Sequence, residues 1–195
     1  MTAIRAGPAA LLLALAACGS RAGFGRPDYD AQAQARCDEA EGATDPNRAL
    51  ALYGLALEAD PTLPRAHLGR AKVLEAVGRW VEAEQSFAMA VDGAREDRKA
   101  RYHLERARYQ LRRGRTESAV RDLDRAVTLL STWPEEGLLV ESLLARAECR
   151  ITLRAWTGAA EDLKAAIAAG PDDDQRERAK SMRFRVEADL KENSR

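Results

Sequence analysis

Aromatic residues, histidine and cysteine are all scarce in this chain of 195 residues. Phe, Trp and Tyr together make up 5% of it, and there are two His and three Cys. A chain that is poor in aromatics and rich in Ala, Leu, Arg and Glu is typical of helices, not sheets. Two His with no Cys or further His at ligand spacing also argue against a metal site, and we expect none.

The chain also lacks an excess of either charge. Its 31 basic and 31 acidic residues cancel, which argues against a general electrostatic attraction to nucleic acid. Neither a G-x-S-x-G motif nor a glycine-rich phosphate-binding loop is present in the sequence. We therefore expect no catalytic residue, no cofactor and no nucleic-acid partner.

No apolar run is long enough to span a bilayer, which takes about 20 residues. The longest such run is "AALLLALAA" at residues 9–17, and Arg5 is the only charged residue before it. This layout is typical of a secretory signal peptide. The four residues from Leu15 to Cys18 read L-A-A-C and resemble the lipobox of bacterial lipoproteins. The resemblance implies that residues 1–18 carry a signal cleaved just before Cys18, whose thiol is lipidated and anchors the protein.

The alternative is an ordinary cleaved signal that happens to end in Cys. Gly19 takes the place of the Asp that tends to retain Gram-negative lipoproteins in the inner membrane. In a Gram-negative host this favours the outer membrane, facing the periplasm. Residues 19–27 include "RAGFGRP", which has no period, and we interpret them as a short flexible tether.

After the tether, the chain repeats itself. The segment "GRWVEAEQSFAMAV" from Gly78 aligns with "RAWTGAAEDLKAAI" from Arg154, and two more copies begin at Pro46 and Gly114. A small residue occupies the same slot of each copy, at steps of 34, 36 and 40 residues: Ala49, Ala83, Ala119 and Ala159. Small residues at fixed slots, with a bulky residue between two of them and a period of about 34, resemble the tetratricopeptide repeat (TPR).

The resemblance implies an all-α TPR-type solenoid of about four helical hairpins over residues 28–192. The repeats would span about 30–63, 64–97, 100–133 and 140–173. Apolar residues then recur at spacings of three and four, and predict a C-terminal capping helix over about 173–192: Ala179, Met182, Val186 and Leu190. The six extra residues "PEEGLL" before the fourth repeat predict either a longer loop or an extended helix start.

The same repeat register predicts the conformation of the turns, the state of the cysteines and the role of the histidines. Gly78 and Gly114 are expected to end their helices in the left-handed conformation, and the turns that hold Thr44 or Arg154 instead are expected to be less regular. Cys37 and Cys149 fall at opposite ends of the array, so we expect two buried thiols and no disulfide. His67 and His103 share a slot in neighbouring repeats, which we interpret as packing and not as metal binding.

In TPR arrays the first helices line a concave groove. Here the corresponding slots predict a basic stretch over the middle repeats, an apolar seam, and an acidic end with Glu141 and Glu148. The predicted protein-binding residues are Arg65, Leu68, Lys72, Arg101, Leu104, Arg108, Arg112 and Leu144. Such a groove suits an extended or helical peptide with an acidic segment. The alternative is a solvated, salt-bridged surface that binds no selected ligand.

The resemblance implies a membrane-anchored scaffold or adaptor lipoprotein of the bacterial cell envelope. Relatives of this layout serve as pilotins for outer-membrane secretins, as parts of the β-barrel assembly machinery, and as adaptors for cell-wall hydrolases. The expected partners are an envelope protein or peptide in the groove, and the membrane through the lipid anchor. The alternative is an accessory subunit that stabilises an envelope enzyme or transporter complex.

Overall fold

The computed structural model describes residues 27–192, all of whose regular elements are α-helices. The helices are α1 (Pro27–Glu41), α2 (Pro46–Ala59), α3 (Pro64–Ala76), α4 (Trp80–Gly93), α5 (Lys99–Arg112), α6 (Thr116–Thr132), α7 (Glu136–Thr152), α8 (Trp156–Ala168) and α9 (Asp173–Glu192). Consecutive helices pack as four hairpins, α1–α2 to α7–α8, and α9 covers the last of them. This confirms the predicted solenoid with its capping helix.

The proposed signal peptide and the lipidation site Cys18 lie outside the described residues. So does the predicted tether, except for Pro27. That residue is the first of α1, where a proline fits because the first helical N–H has no intrahelical partner. None of the described helices is both long enough and apolar enough to cross a membrane.

Small residues let the two helices of each hairpin approach closely. The alanines at the shared slot of the second helices are between 0% and 3% exposed. A bulky side chain four residues later fills the space beside each of them, and all four are buried: Tyr53, Phe87, Leu123 and Leu163. Any larger residue at the alanine slot would overpack the crossing, at a cost of roughly 1–3 kcal/mol.

The turns of the second and third hairpins contain a left-handed glycine, as predicted, with φ of 78° at Gly78 and 71° at Gly114. The prediction that the fourth turn is less regular is wrong. Arg154 adopts the same conformation with φ of 57°, and the same two backbone hydrogen bonds return to the preceding helix at 2.8–3.0 Å. These bonds satisfy carbonyls at the helix end that otherwise lack partners. The turn at Thr44 does differ, since its bonds start from Gly42 and Ala43.

The sequence predicts the capping helix, and it leaves open whether the extra residues before the fourth repeat form a longer loop or an extended helix start. The extra residues before the fourth repeat extend α7, which begins at Glu136. At α9, the Gln175 N–H donates to Asp172 Oδ1 at 2.8 Å, and the Asp172 N–H donates to Gln175 Oε1 at 3.2 Å. This reciprocal pair is a capping box. Ala179 and Val186 are then fully buried against α7 and α8.

Candidate protein-binding groove

The eight residues predicted to bind a partner lie on the first helices of hairpins two to four. Arg65, Leu68 and Lys72 belong to α3, and Leu144 belongs to α7. The remaining four lie on α5: Arg101, Leu104, Arg108 and Arg112. All eight therefore lie on the first helices of the array, but the charged members and the apolar members differ in their contacts and in their exposure.

Ion pairs connect each first helix to the next one along the array. Between α1 and α3, Arg65 Nε and Nη2 donate to the two carboxylate oxygens of Glu41 at 2.9 and 2.8 Å. Between α3 and α5, Lys72 Nζ lies 2.9 Å from Glu105 Oε2. On the same pair of helices, Arg112 Nε and Nη2 donate to the two carboxylate oxygens of Glu75 at 2.6 and 2.7 Å.

The same pattern continues toward the C-terminal end. Arg108 Nη2 donates to Glu141 of α7 at 3.1 Å, and Arg101 Nη2 donates to Glu135, just before α7, at 2.9 Å. Arg178 of α9 reaches Glu148 of α7 at 2.7 Å. We call these six inter-repeat contacts the ladder: Arg65–Glu41, Lys72–Glu105, Arg112–Glu75, Arg108–Glu141, Arg101–Glu135 and Arg178–Glu148.

The ladder changes how the predicted basic stretch must be understood. Each of the five basic residues of the predicted stretch contacts a carboxylate of a neighbouring repeat. The stretch is therefore a band of alternating charge and not a bare positive surface. Both side chains are at least 36% exposed in four of the six pairs, the exceptions being those of Glu75 and Glu105. Exposed ion pairs contribute roughly 0–1 kcal/mol each to stability. Their more definite effect is to fix which charges a ligand meets along the face.

The expected apolar seam is largely internal. Leu104 and Leu144 are each 1% exposed and belong to two hydrophobic clusters of the core. Their side chains stabilise the helix crossings and leave little surface for a partner to contact. Only Leu68 is partly exposed, and it lines an open cleft.

That cleft lies between the first hairpin and α3. Its volume is about 450 Å³, which is within the range typical of ligand pockets, roughly 300–1,000 Å³. Most of its wall is apolar, and much of it is alanine. The wall consists of Ala40, Ala43, Pro46, Ala49, Tyr53, Leu68, Gly69, Val73 and Ala76, with Glu41, Thr44, Arg65 and Lys72 as polar members.

A glycine on α3 shapes the floor of the cleft. A Cβ at Gly69 would overlap the ring of Tyr53, which is 3% exposed and held in place by the first hairpin. Burial raises the pKa of the Tyr53 hydroxyl to about 12. The corresponding slots of the next two repeats hold Glu105 and Ala145. The cleft was not predicted from the sequence, although the glycine and the surrounding alanines are its signal.

Two buried carboxylates were also not predicted from the sequence, and both accept hydrogen bonds from neighbouring side chains. Asp122 accepts from Arg106 at 2.6 and 2.8 Å and contacts His103 Nδ1 at 2.9 Å. Burial would raise the Asp122 pKa, but the hydrogen bonds from His103 and Arg106 outweigh it and lower that pKa to about 2. Asp162, in the same slot of the fourth repeat, accepts from Arg146 and Arg150. These side chains join the two helices of a hairpin.

The two histidines and the two described cysteines are buried inside the array. His67 Nε2 lies 2.9 Å from the Pro61 carbonyl oxygen, so it does not share a partner with His103. Across the described residues, no group of three or more potential ligands is placed to hold a metal ion. Cys37 and Cys149 are free, buried thiols, as predicted. Burial raises the pKa of Cys149 to about 12, so its reactive thiolate form is suppressed.

Known proteins support the architecture seen here. Residues 40–109, which include the whole wall of the cleft, match the family model described as tetratricopeptide repeat. The fold is a TPR solenoid. PilF of Pseudomonas aeruginosa superimposes with a TM-score of 0.69 at 16% identity, over 83% of this chain and 72% of PilF.

Two further solved structures share the fold. MamA superimposes with a TM-score of 0.61 at 16% identity, over 84% of this chain and 89% of MamA. YrrB, described as a TPR protein with an unusual peptide-binding site, gives 0.56 at 20% identity, over 83% of this chain and 84% of YrrB. At these identities the likeness establishes the fold alone. No curated protein matches the sequence.

Proposed function

We propose that this protein is a lipid-anchored scaffold of the bacterial cell envelope, which holds a partner protein or peptide against the face formed by its first helices. The observation that carries the proposal is the array itself: four hairpins whose first helices share one face, with an open apolar cleft in it. Solenoids use such extended faces for binding. The description of YrrB as having a peptide-binding site supports a peptide or peptide-like segment as the ligand.

The envelope location rests on the L-A-A-C motif at residues 15–18. We propose that lipidated Cys18 holds the array at the outer membrane, facing the periplasm, where a pilotin-like or assembly-factor-like role is open to it. Cys18→Ala removes the acceptor thiol, and we expect the variant to leave the membrane fraction and to lose labelling by a fatty-acid analogue. Retention with unchanged labelling would refute the lipid anchor.

The binding role is tested in cells with the ladder arginines. We expect the double substitution Arg101→Glu and Arg108→Glu to place new carboxylates beside Glu135 and Glu141, and so to repel an acidic partner. In-cell crosslinking followed by affinity capture and mass spectrometry measures the loss of that partner. Helix content should stay unchanged, because exposed ion pairs contribute little to stability.

A matched control carries the same change of charge on another surface. Arg121 and Arg125 lie exposed on α6, a second helix, and do not belong to the ladder. Arg121→Glu with Arg125→Glu should leave capture intact. Equal capture by wild type and both double variants would show that the first-helix face is not the binding surface.

A further inference from the structure

We infer that the cleft between the first hairpin and α3 is the anchor site of the groove, and that it takes a bulky apolar side chain of a peptide with an acidic residue next to it. This inference rests on the proposed function and names the subsite and the chemistry of its ligand. It concerns one cleft of this chain and not the concave face in general.

The cleft is a site of defined shape, because both of its sides are held by the core. Ala40, Ala49 and Tyr53 are at most 3% exposed and belong to the cluster of the first hairpin. Gly69 brings the backbone of α3 against the Tyr53 ring. Neither side can therefore collapse into the open space without repacking a hydrophobic cluster.

The volume and the lining favour an apolar occupant. About 450 Å³ holds on the order of 15 water molecules at roughly 30 Å³ each. Apolar walls give those waters few hydrogen-bond partners, and displacing poorly ordered water with an apolar group increases affinity. Anchors that fill a pocket of this kind dominate the energy of binding in peptide and protein interfaces.

The charges at the rim select an acidic neighbour for that anchor. Arg65 is already paired within the protein and is not available to a ligand. Glu41 and Asp38 both lie within 2.8 Å of its Nη2, and Gln34 accepts from its Nη1. One guanidinium does not balance the two carboxylates of Glu41 and Asp38, so this side of the rim keeps a net charge of −1 and a ligand carboxylate fits only on the Lys72 side. Lys72 is different: its ammonium has three N–H groups, and the structure gives it the single carboxylate of Glu105 at 2.9 Å.

Glu105 is itself shared, since Arg108 Nη1 also approaches it at 3.3 Å. The Lys72 side chain is 50% exposed, so its ammonium can turn toward a ligand at little cost. The cleft therefore combines an apolar floor with one available positive charge at its mouth. A carboxylate beside a bulky apolar side chain is the complementary chemistry.

The test selects peptides from a phage-displayed random library on the full-length chain in detergent micelles. We expect enriched peptides to pair a Leu, Phe, Met or Trp with an Asp or Glu close by in the sequence. Ala76→Phe projects a ring from an exposed position of the wall into the cleft, and should weaken the enriched peptides about tenfold or more, which corresponds to 1.4 kcal/mol.

Two more variants complete the design. Ala51→Phe adds the same ring at an exposed alanine of α2 that is not part of the wall, and should leave affinity unchanged. Lys72→Glu should abolish the preference for acidic residues while the apolar preference persists. Helix content measured by circular dichroism shows that each variant is folded.

The outcomes separate this inference from the proposed function. Peptides that bind equally well to wild type and Ala76→Phe would overturn the cleft inference and leave groove binding standing. A basic preference, a self-association lost on Ala76→Phe, or no enriched peptide would each overturn it as well. In-cell crosslinking with the Arg101/Arg108 double variant decides the proposed function independently.

Discussion

Arg154 occupies a backbone conformation that normally belongs to glycine. Its φ of 57° costs a residue with a side chain roughly 1–2 kcal/mol, whereas glycine loses about 0.5–1 kcal/mol through its greater freedom in the unfolded chain. We therefore expect Arg154→Gly to raise the free energy of unfolding by about 0.5–1 kcal/mol, as measured by urea denaturation.

The reverse substitution at the third turn is the control. Nothing lies within 4 Å of a Cβ added at Gly114, whose φ is 71°, so Gly114→Ala reports the backbone cost alone. It should lower stability by about 1 kcal/mol. If Arg154→Gly were neutral or destabilising, the arginine side chain would have to contribute interactions that offset its strained backbone.

Asp122 makes stability depend on pH in a defined direction. Its pKa falls from 3.8 to about 2 on folding, despite its burial, because His103 and Arg106 hydrogen-bond to the carboxylate. A carboxyl group with a depressed folded pKa stabilises the protein above its unfolded pKa and loses that contribution as pH falls through the folded value. The contribution is therefore present at pH values above about 4 and disappears toward pH 2.

Asp122→Asn removes this titration while keeping the shape of the side chain. We expect the variant to be less stable than wild type by about 2 kcal/mol near neutral pH, with the gap closing between about pH 4 and pH 2. Denaturation across this range measures it, and Glu117→Gln, at an exposed position on the same helix, is the control. A gap that stays constant with pH would show that Asp122 acts through packing alone.

At the level of elements, α9 offers a matched pair of substitutions. Val186 is fully buried against the last hairpin, whereas Phe184, two residues earlier, is 77% exposed. Val186→Asp places a carboxylate in an apolar cluster without a partner, and we expect a loss of about 2–4 kcal/mol. Phe184→Asp should change stability by less than about 0.5 kcal/mol.

Thermal unfolding followed by circular dichroism compares the two variants. Equal melting temperatures would mean that α9 is a detached tail that contributes nothing to the array. A loss confined to Val186→Asp would establish α9 as the element that seals the last hydrophobic cluster, as the terminal repeat of a solenoid requires.

The hairpins and α9 could be predicted because their signals are local. Alanines at a fixed slot report a helix crossing within one hairpin, and the spacing of Ala179 and Val186 reports one helix face. The ladder could not be predicted in the same way. Arg65 and Glu41 are 24 residues apart, and Arg112 and Glu75 are 37 apart, so their contact depends on how successive hairpins stack.

The two groove leucines show the same limit. Slots in a repeat pattern indicate which helix a residue occupies, but the rotation of that helix decides whether a side chain faces the solvent or the core. Leu104 and Leu144 were predicted to form a seam and are instead 1% exposed. Gly69 was overlooked for a related reason, since its role depends on the Tyr53 ring in a neighbouring hairpin.

For the molecule as a whole, the balance of charges now has a structural explanation. The ladder pairs six of the 31 basic residues with six of the 31 acidic ones, so the two signs alternate along the first helices and do not form separate patches there. A partner of either sign therefore meets little long-range attraction there, and selectivity has to come from short-range features such as the cleft. This is why the proposed anchor depends on shape first and on Lys72 second.

An array held together by contacts between neighbours should not have uniform stability. Its central helices pack on both sides, whereas α1 and α9 each pack on one side only. Nine residues of α7 are buried, but α9 buries Ala179 and Val186 alone. Because solenoid stability is approximately a sum of repeat and interface terms, the ends should open before the centre.

Hydrogen–deuterium exchange with mass spectrometry tests this directly. We expect the strongest amide protection in α5 to α7 and the weakest in α1 and α9, since exchange reports the free energy of local opening. Val186→Asp should increase exchange in α8 and α9 while leaving α1 to α4 unchanged. Uniform protection across all the described helices, lost everywhere at once in this variant, would instead make the array one cooperative unit and would require long-range coupling that neighbour contacts do not supply.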